Sequence, residues 1–213
     1  ASKLNDIAQL ASEWEMPAVA MTDHGNMFGA IDFYRAMRDV NVTPIIGCEV
    51  YCARESRFDK KPLPGLQSGS NHLVLLAKDN TGYKNLIKLV SAGYLDGFYY
   101  NPRIDKEILR EYSEGLVCLS ACVGGEIPYL IETEGYKAAQ KMVEVYQDIF
   151  GDDYYLEIQR HGIDKEKVIN PGLEKLHKEM GVPMVATNDS HFTRAGDHEA
   201  HAALVAIQTG KTL

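Results

Sequence analysis

The sequence predicts an α/β fold in which buried strands alternate with amphipathic helices. Six short apolar runs have the length and composition of buried strands, and segments with apolar residues three and four positions apart lie between them. Each run also carries, at one end, a side chain of the kind that binds metals. Gathering such side chains from separate strands is how a barrel builds a site at its rim, so the pattern indicates a metallohydrolase.

Two architectures fit this alternation. The strands could form an open sheet with ligands at its carboxyl edge, or most of a closed (βα) barrel. No glycine-rich phosphate loop opens any of the predicted helices, which weakens the dinucleotide-binding alternative. We therefore favour the barrel and treat residues 1–213 as one domain.

The predicted elements alternate from one end of the chain to the other. Apolar periodicity predicts helices over residues 4–11, 28–40, 82–94, 106–111, 136–150, 166–180 and 197–209. The strand-like runs are PAVAMTDH (17–24), PIIGCEVYC (44–52), NHLVLLA (71–77), GLVCLSAC (115–122), DYYLEIQRH (153–161) and VPMVATNDSH (182–191). One long polar loop, residues 54–70, joins the second run to the third.

Composition restricts the function. At 213 residues, with 45% of them hydrophobic, the chain can bury a full core. A net charge of -8 and a pI near 5.4 argue against a broad basic surface for nucleic acid, because such binding depends on counterion release at Lys and Arg. Any nucleic-acid contact is therefore expected to be local, or to lie outside this chain.

The cysteines and the termini indicate a cytoplasmic protein. The four cysteines lie in strand-like runs rather than on a small loop-rich scaffold, so we expect free thiols. No run approaches the roughly 20 apolar residues of a membrane span, and the start lacks a signal peptide. Both ends read as cut, so we expect a piece of a longer protein.

Two candidate ligand sites follow strand-like runs directly. His24, after Asp23, precedes a Gly-Asn turn at a strand end, although an Asp-His pair there could also be a polar turn or a helix cap. Asp189 and His191 are alternate residues, which face the same side of an extended chain and can bind one metal cluster together.

Three further candidates lie within or beside the runs. Glu49 is surrounded by apolar residues, where a carboxylate is costly unless it binds a cation or forms a buried salt bridge. Cys122 ends a strand before Gly124 and Gly125, although a free cysteine is often only a small buried hydrophobe. His72 begins its strand instead of ending it, but antiparallel pairing of VYCA with HLVLLA would bring it to the same end as Glu49.

Other polar residues have weaker signals. His161 ends a strand too, but it could orient a ligand rather than bind the metal. Tyr99, Tyr100 and Arg103 would suit a stacked base and a phosphate, and core packing of the tyrosines explains them equally well. The remaining histidines on predicted helices are interpreted as structural or exposed: His177, His198 and His201.

Several segments resemble the PHP (polymerase and histidinol phosphatase) domain of the bacterial DNA polymerase III alpha-subunit family, the replicative C-family polymerases. They are TDHGNMFGAIDFY, PIIGCEVY, NHLVLLAKDNTGYKNLIKLVS, GFYYNPRID, FGDDYYLEIQRHG and VATNDSHF. The resemblance runs through the whole chain, and HEAHAALVAIQTGKTL supports the polymerase branch. It implies a distorted, TIM-like (βα)7 barrel.

The family pattern also implies the metal site. Its ligands correspond to His24, Glu49, His72, Cys122, Asp189 and His191. The family has a His-x-His pair, a further Asp or His and the first barrel strand before the point where this chain begins. Up to three divalent metals are implied; zinc is our first choice because of the cysteine, with manganese or iron as alternatives.

The resemblance implies phosphodiester hydrolysis, as a 3′ to 5′ proofreading exonuclease on the primer 3′ end. The polymerase active site of the parent DNA-directed DNA polymerase would lie beyond residue 213. Implied partners are the rest of the alpha chain, a proofreading exonuclease subunit and the sliding clamp. Two alternatives are a structural module that docks that exonuclease subunit and a stand-alone phosphatase of the histidinol phosphatase type.

Overall fold

The computed structural model describes residues 2–62 and 68–212. Its strands are β1 (Ala18–Met21), β2 (Thr43–Ala53), β3 (Ser70–Ala77), β4 (Arg103–Ile104), β5 (Leu116–Leu119), β6 (Tyr154–Ile158) and β7 (Met184–Ala186). Its helices are α1 (Leu4–Glu13), α2 (Ala30–Asp39), α3 (Asn80–Leu95), α4 (Lys106–Glu111), α5 (Glu126–Thr133), α6 (Tyr136–Phe150), α7 (Glu166–Met180) and α8 (His198–Thr209). The predicted α/β class is confirmed.

Helical periodicity located most helices closely. The bounds predicted for α4, α6 and α7 match the structure residue for residue. Helix α5 was not predicted, because it follows two glycines and contains Pro128, both of which favour a turn. Pro128 is tolerated because it lies in the first turn, where its missing N–H would have no helical partner. Strand β4 has only two residues, too few to show an alternating pattern.

The described chain forms two compact units. The helical unit comprises residues 2–19, 29–44 and 189–212, and it contains α1, α2 and α8. The sheet unit comprises the described residues of 20–28 and 45–188, and it contains α3 to α7 and most of the strands. Four of the predicted site residues belong to the sheet unit: His24, Glu49, His72 and Cys122.

The strand order of the sheet is β1-β2-β3-β5-β6-β7, with β4 paired to β2. Strand β3 is antiparallel to both β2 and β5, whereas β5, β6 and β7 run parallel. The antiparallel pairing expected between VYCA and HLVLLA is therefore confirmed. Its register places Tyr51 opposite His72 and Glu49 opposite Val74.

The two faces of this sheet differ in chemistry because successive side chains point to opposite sides. One face is apolar: the paired residues Cys48, Leu75, Cys118 and Tyr154 form a row across four strands, and all are fully buried. This row belongs to the main core, to which helices α3 to α7 also contribute. The ligand-bearing positions of β2 lie on the other face.

Arg103 organises the long loop from the interior instead of facing solvent. Its guanidinium is fully buried and donates to the backbone carbonyls of Arg57, Asp59, Ser68 and Gly97 at 2.9–3.1 Å. The hypothesis that Arg103 binds a phosphate is therefore wrong, because the side chain is fully buried and four of its five N–H groups already donate to backbone carbonyls. The long loop was predicted over residues 54–70, of which 63–67 lie outside the described residues.

None of the helices in the described part of the chain is both long enough and apolar enough to cross a membrane.

The close approach of α3 to the turn before β5 gives a test of this fold. A Cβ at Gly82 would lie 1.8 Å from the carbonyl oxygen of Gly115. We expect Gly82→Ala to lower the free energy of unfolding by about 1–3 kcal/mol, because the backbone must shift to admit the methyl group. Urea denaturation measures this change. Gly196→Ala is the matched control, since a Cβ there meets nothing within 4 Å; equal effects of the two substitutions would contradict this packing.

Candidate metal centre

His24 is positioned by a backbone bridge to β2. The Gly25 N–H donates to the Glu49 carbonyl at 2.9 Å, and the Glu49 N–H donates to the Asp23 carbonyl at 3.1 Å. Gly25 has a φ of +67°, and a Cβ there would lie 2.8 Å from Pro102, so glycine is required. Asn26 completes the predicted turn by donating to the His24 carbonyl at 3.0 Å.

Glu49 and His72 meet through the β2–β3 pairing. They are diagonal neighbours on one face of the antiparallel pair, a spacing that long side chains can bridge. The Nδ1 atom of His72 lies 2.5 Å from Oε1 of Glu49, and Nδ1 of His24 lies 3.7 Å from the same oxygen. Glu49 is only 4% exposed, so its carboxylate is held between two imidazoles.

Cys122 reaches the same point from the loop after β5. Its Sγ lies 3.9 Å from Oε1 of Glu49 and 3.7 Å from Nδ1 of His72. The Gly124 N–H points at this sulfur at 3.4 Å, and the Gly124 carbonyl accepts from the His72 N–H at 2.9 Å. A Cβ at Gly125 would lie 2.1 Å from the Ser120 carbonyl oxygen, so the loop depends on a glycine there.

The proton on His72 responds to these neighbours. Burial disfavours the charged ring, but hydrogen bonds to Cys122 and Glu49 and their charges outweigh it and raise the pKa of His72 to about 10. The raised pKa thus favours a positive imidazole beside the buried carboxylate. A metal must displace that proton, because a histidine binds metal in its neutral form.

The chemistry of these donors fits a divalent cation. Ligand atoms of His24, Glu49 and His72 all lie within 4.8 Å of one another, with the Cys122 sulfur beside them. Imidazole nitrogen, carboxylate oxygen and thiolate sulfur are the ligands that hold zinc. Four of the six residues named from the sequence are therefore brought together within the sheet unit.

Asp189 and His191 lie in the helical unit. Asp189 has a φ of +47°, so the chain there is left-handed and not extended. The expectation that strand alternation would aim both side chains to one side is therefore wrong. Within this unit, Nδ1 of His191 lies 2.8 Å from the Asp189 carbonyl oxygen and 3.8 Å from its Oδ1.

The other histidines have different surroundings. His161 uses both ring nitrogens: Nδ1 lies 3.2 Å from Oε1 of Glu166, and Nε2 lies 2.9 Å from the Asn188 carbonyl oxygen. It is thus engaged by the segment just before Asp189, and its orienting role stays a prediction. His177, in α7, lies 2.7 Å from the Val182 carbonyl oxygen through Nδ1. His198 and His201 belong to α8.

Sequence reasoning missed a buried carboxylate next to the site. Glu157, on β6, contacts the Thr187 hydroxyl and accepts from Gln159 at 3.0 Å. It lines a cavity of about 10 Å³ together with Cys122 and Glu166, about the size of one water molecule. The signal that identified Glu49, an acidic residue inside an apolar run, applies equally to YYLEI and could have found Glu157.

The chain is similar to known proteins in sequence and in fold. A sequence profile of the PHP domain matches residues 1–161. DNA polymerase III subunit alpha from Thermus aquaticus is 49% identical over all of this chain, and that from Borreliella burgdorferi is 49% identical over 99% of it. The alpha subunit from Aquifex aeolicus is 42% identical over all of this chain. This chain spans only 18–19% of the length of these relatives.

A structure from Bifidobacterium adolescentis, described as that of a metal-dependent phosphoesterase, has a similar fold. The TM-score is 0.53 at 12% sequence identity, and the match covers 90% of this chain and 83% of that one. At this identity the likeness shows the fold alone.

The different burial of the cysteines predicts how they react. Cys48, Cys52 and Cys118 are fully buried and Cys122 is partly exposed, so we expect one fast-reacting thiol in the native protein. Zinc should slow this reaction, because a bound thiolate is unavailable. Thiol titration with and without zinc measures both effects.

The variant Cys122→Ser is the control, and it should lose the fast-reacting thiol. Labelling of Cys122 at the same rate in the presence of zinc would contradict its role as a ligand.

Proposed function

This chain belongs to the PHP domain family and corresponds to the PHP-domain region of DNA polymerase III subunit alpha, and we propose that it is a metal-dependent 3′ to 5′ exonuclease domain. The observation that carries this proposal is the convergence of His24, Glu49, His72 and Cys122 on one point. In this proposal residues 1–213 form one PHP domain, and a DNA primer 3′ end is the substrate.

The proposed ligands are the four converging residues together with Asp189 and His191. Bound divalent metals would activate water and neutralise charge on the phosphodiester. We propose zinc, with manganese or iron as alternatives, and up to three ions. Zinc is preferred because thiolate and imidazole are ligands that it favours.

The protein groups prepare the site before any metal binds. The backbone of Glu49 is hydrogen-bonded to Asp23 and Gly25, and its carboxylate lies between the imidazoles of His24 and His72. The Gly124 N–H stabilises negative charge on the Cys122 sulfur. His72 would hold a metal in its neutral form, so it would have to give up its proton on binding one. This preorganisation is what a hydrolytic site requires, because catalysis depends on groups held in place in advance.

Exposed aromatic rings support a single-stranded nucleic-acid substrate. Phe28 is 84% exposed, and its ring lies 6.5 Å from that of Tyr94, which lies 6.3 Å from that of Phe98. Pro102 connects this row to the metal centre, because it packs against both Gly25 and Gly93. Aromatic faces stack bases without a basic surface, which suits a chain whose net charge is -8.

Two other functions are compatible with the sequence. A structural module that docks a separate exonuclease would not need four metal-type ligands aimed at one another, so the convergence favours the hydrolytic function. A stand-alone phosphatase of the histidinol phosphatase type would use the same ligands. The identity to polymerase subunits over the whole chain favours the polymerase context.

This context also suggests the partners. We propose that the domain works in the cytoplasm with the rest of an alpha chain, which would carry the DNA-directed DNA polymerase activity. A sliding clamp and a proofreading exonuclease subunit are proposed as further replisome partners.

Hydrolysis of a 3′-mismatched primer in the presence of zinc or manganese tests this proposal. We expect the metal-loaded protein to shorten the primer from its 3′ end, and Glu49→Gln to lower the rate by about 100-fold because two imidazoles lose their shared carboxylate. Asp189→Asn should have an effect of the same order. Gel analysis of an end-labelled primer measures the rate.

Glu144→Gln is the matched control, because Glu144 is an exposed residue of α6 outside the site. If the metal-loaded protein left the mismatched primer intact, or if Glu49→Gln cut it as fast as the control, the exonuclease proposal would be lost.

A further inference from the structure

A buried charge cluster lies between the strand that carries Glu49 and the loop that carries Cys122. At its centre is Glu126, the first residue of α5, which is only 1% exposed. Nζ of Lys106 lies 2.9 Å from Oε1 and 2.7 Å from Oε2 of this carboxylate. The Tyr146 hydroxyl, from α6, donates to Oε2 at 2.7 Å.

Lys106 ties this cluster to β2. Its ammonium also donates to the carbonyls of Ala53 and Arg54, each at 3.2 Å. Ala53 is the last residue of β2, the strand on which Glu49 lies, and the same stretch pairs with the start of β3 beside His72. One end of the cluster thus fixes the hairpin that supplies two of the proposed ligands.

Glu126 ties the cluster to the Cys122 loop. It follows Gly125 directly, and the Gly125 N–H donates to the Cys122 carbonyl at 2.8 Å. Ala121, just before the cysteine, has a φ of +65°, a conformation that a non-glycine residue keeps only when its surroundings enforce it. The position of the start of α5 therefore sets where the sulfur lies.

We propose that Glu126, Lys106 and Tyr146 form a positioning network that sets the spacing between Glu49, His72 and Cys122. This inference rests on the metal centre proposed above. The charges favour a positioning role over simple stabilisation of the core. A buried ion pair loses its hydration, so well-packed apolar residues at the same positions would stabilise the core as well or better. A pair with fixed hydrogen-bond directions holds two backbone segments at one distance, which apolar contacts do not.

The network contacts the backbone carbonyls of Ala53 and Arg54 and is hydrogen-bonded among its own side chains, so we expect it to act on the ligands through the backbone. Supporting groups of metal ligands typically contribute 10–100-fold to metal affinity. Arg54 lies at the margin, with Nε 3.8 Å from Oε1 of Glu126 and Nη2 2.8 Å from Oε1 of Glu134. Because Arg54 also pairs with Glu134, it keeps a carboxylate partner when the Lys106–Glu126 ion pair is removed.

The neighbouring tyrosines provide a matched test. Tyr146 and Tyr154 are both fully buried and their rings stack at 5.3 Å, yet the Tyr154 hydroxyl has no hydrogen-bond partner among the described residues. Cobalt(II) is the probe, since its sulfur-to-metal charge-transfer absorption reports Cys122. We expect Tyr146→Phe to raise the cobalt dissociation constant by about tenfold, and Tyr154→Phe to leave it unchanged.

A double variant keeps the test valid if Tyr146→Phe is too mild or a single charge removal unfolds the protein. Lys106→Met with Glu126→Gln removes both charges together and leaves no unpaired ion. It should weaken cobalt binding by tenfold or more, while the thermal midpoint of its metal-free form stays close to that of the unsubstituted protein. A purely structural role would lower that midpoint instead.

The outcomes separate the two proposals. If the unsubstituted protein shows the charge-transfer absorption and both network variants bind cobalt as tightly, the positioning role is overturned and the metal centre stands. If the unsubstituted protein shows no such absorption, the proposed centre fails and the network has nothing to position. Weaker binding in the double variant, with Tyr154→Phe unchanged, supports the inference, whether or not Tyr146→Phe weakens binding as well.

Discussion

The antiparallel register between β2 and β3 is the constraint on which the rest of the sheet unit depends. It places Glu49 opposite Val74 and Tyr51 opposite His72, so the carboxylate and the imidazole share a face while Cys48 and Leu75 share the other. A slip of one residue would exchange the faces and send the Glu49 carboxylate into the apolar core. Burial of the apolar row therefore fixes the position of the ligands, although the two sets of side chains never meet.

The same division of faces explains how charged groups are tolerated inside this unit. Each buried charge described above is engaged by several partners: Glu49 by two imidazoles, Arg103 by four carbonyls and Glu126 by an ammonium and a hydroxyl. Buried charges that lack such partners are strongly destabilising. The ion pairs and hydrogen bonds with these partners offset the cost of burying the charges. They also join backbone segments that are distant in sequence around the candidate metal centre.

Membership of the PHP family and the geometry of the centre both support the proposed hydrolysis. The family match concerns sequence, whereas the convergence of His24, Glu49, His72 and Cys122 concerns distances that the sequence does not contain. The distant phosphoesterase structure shares the fold at 12% identity. The proposed exonuclease function joins these observations with the exposed aromatic row, and the positioning network adds a reason why the ligand spacing is maintained.

The sequence by itself determined the α/β class, the bounds of α4, α6 and α7 and four residues that meet in space, because apolar periodicity and metal-type side chains at strand ends are local signals. It also predicted the reversal at His72, since only an antiparallel strand brings that residue to Glu49. Only the tertiary structure decided that Arg103 is interior, that Asp189 departs from an extended chain, and that Lys106 pairs with Glu126. These outcomes depend on partners far away along the chain, and no local pattern records which carbonyl or carboxylate a buried charge will meet.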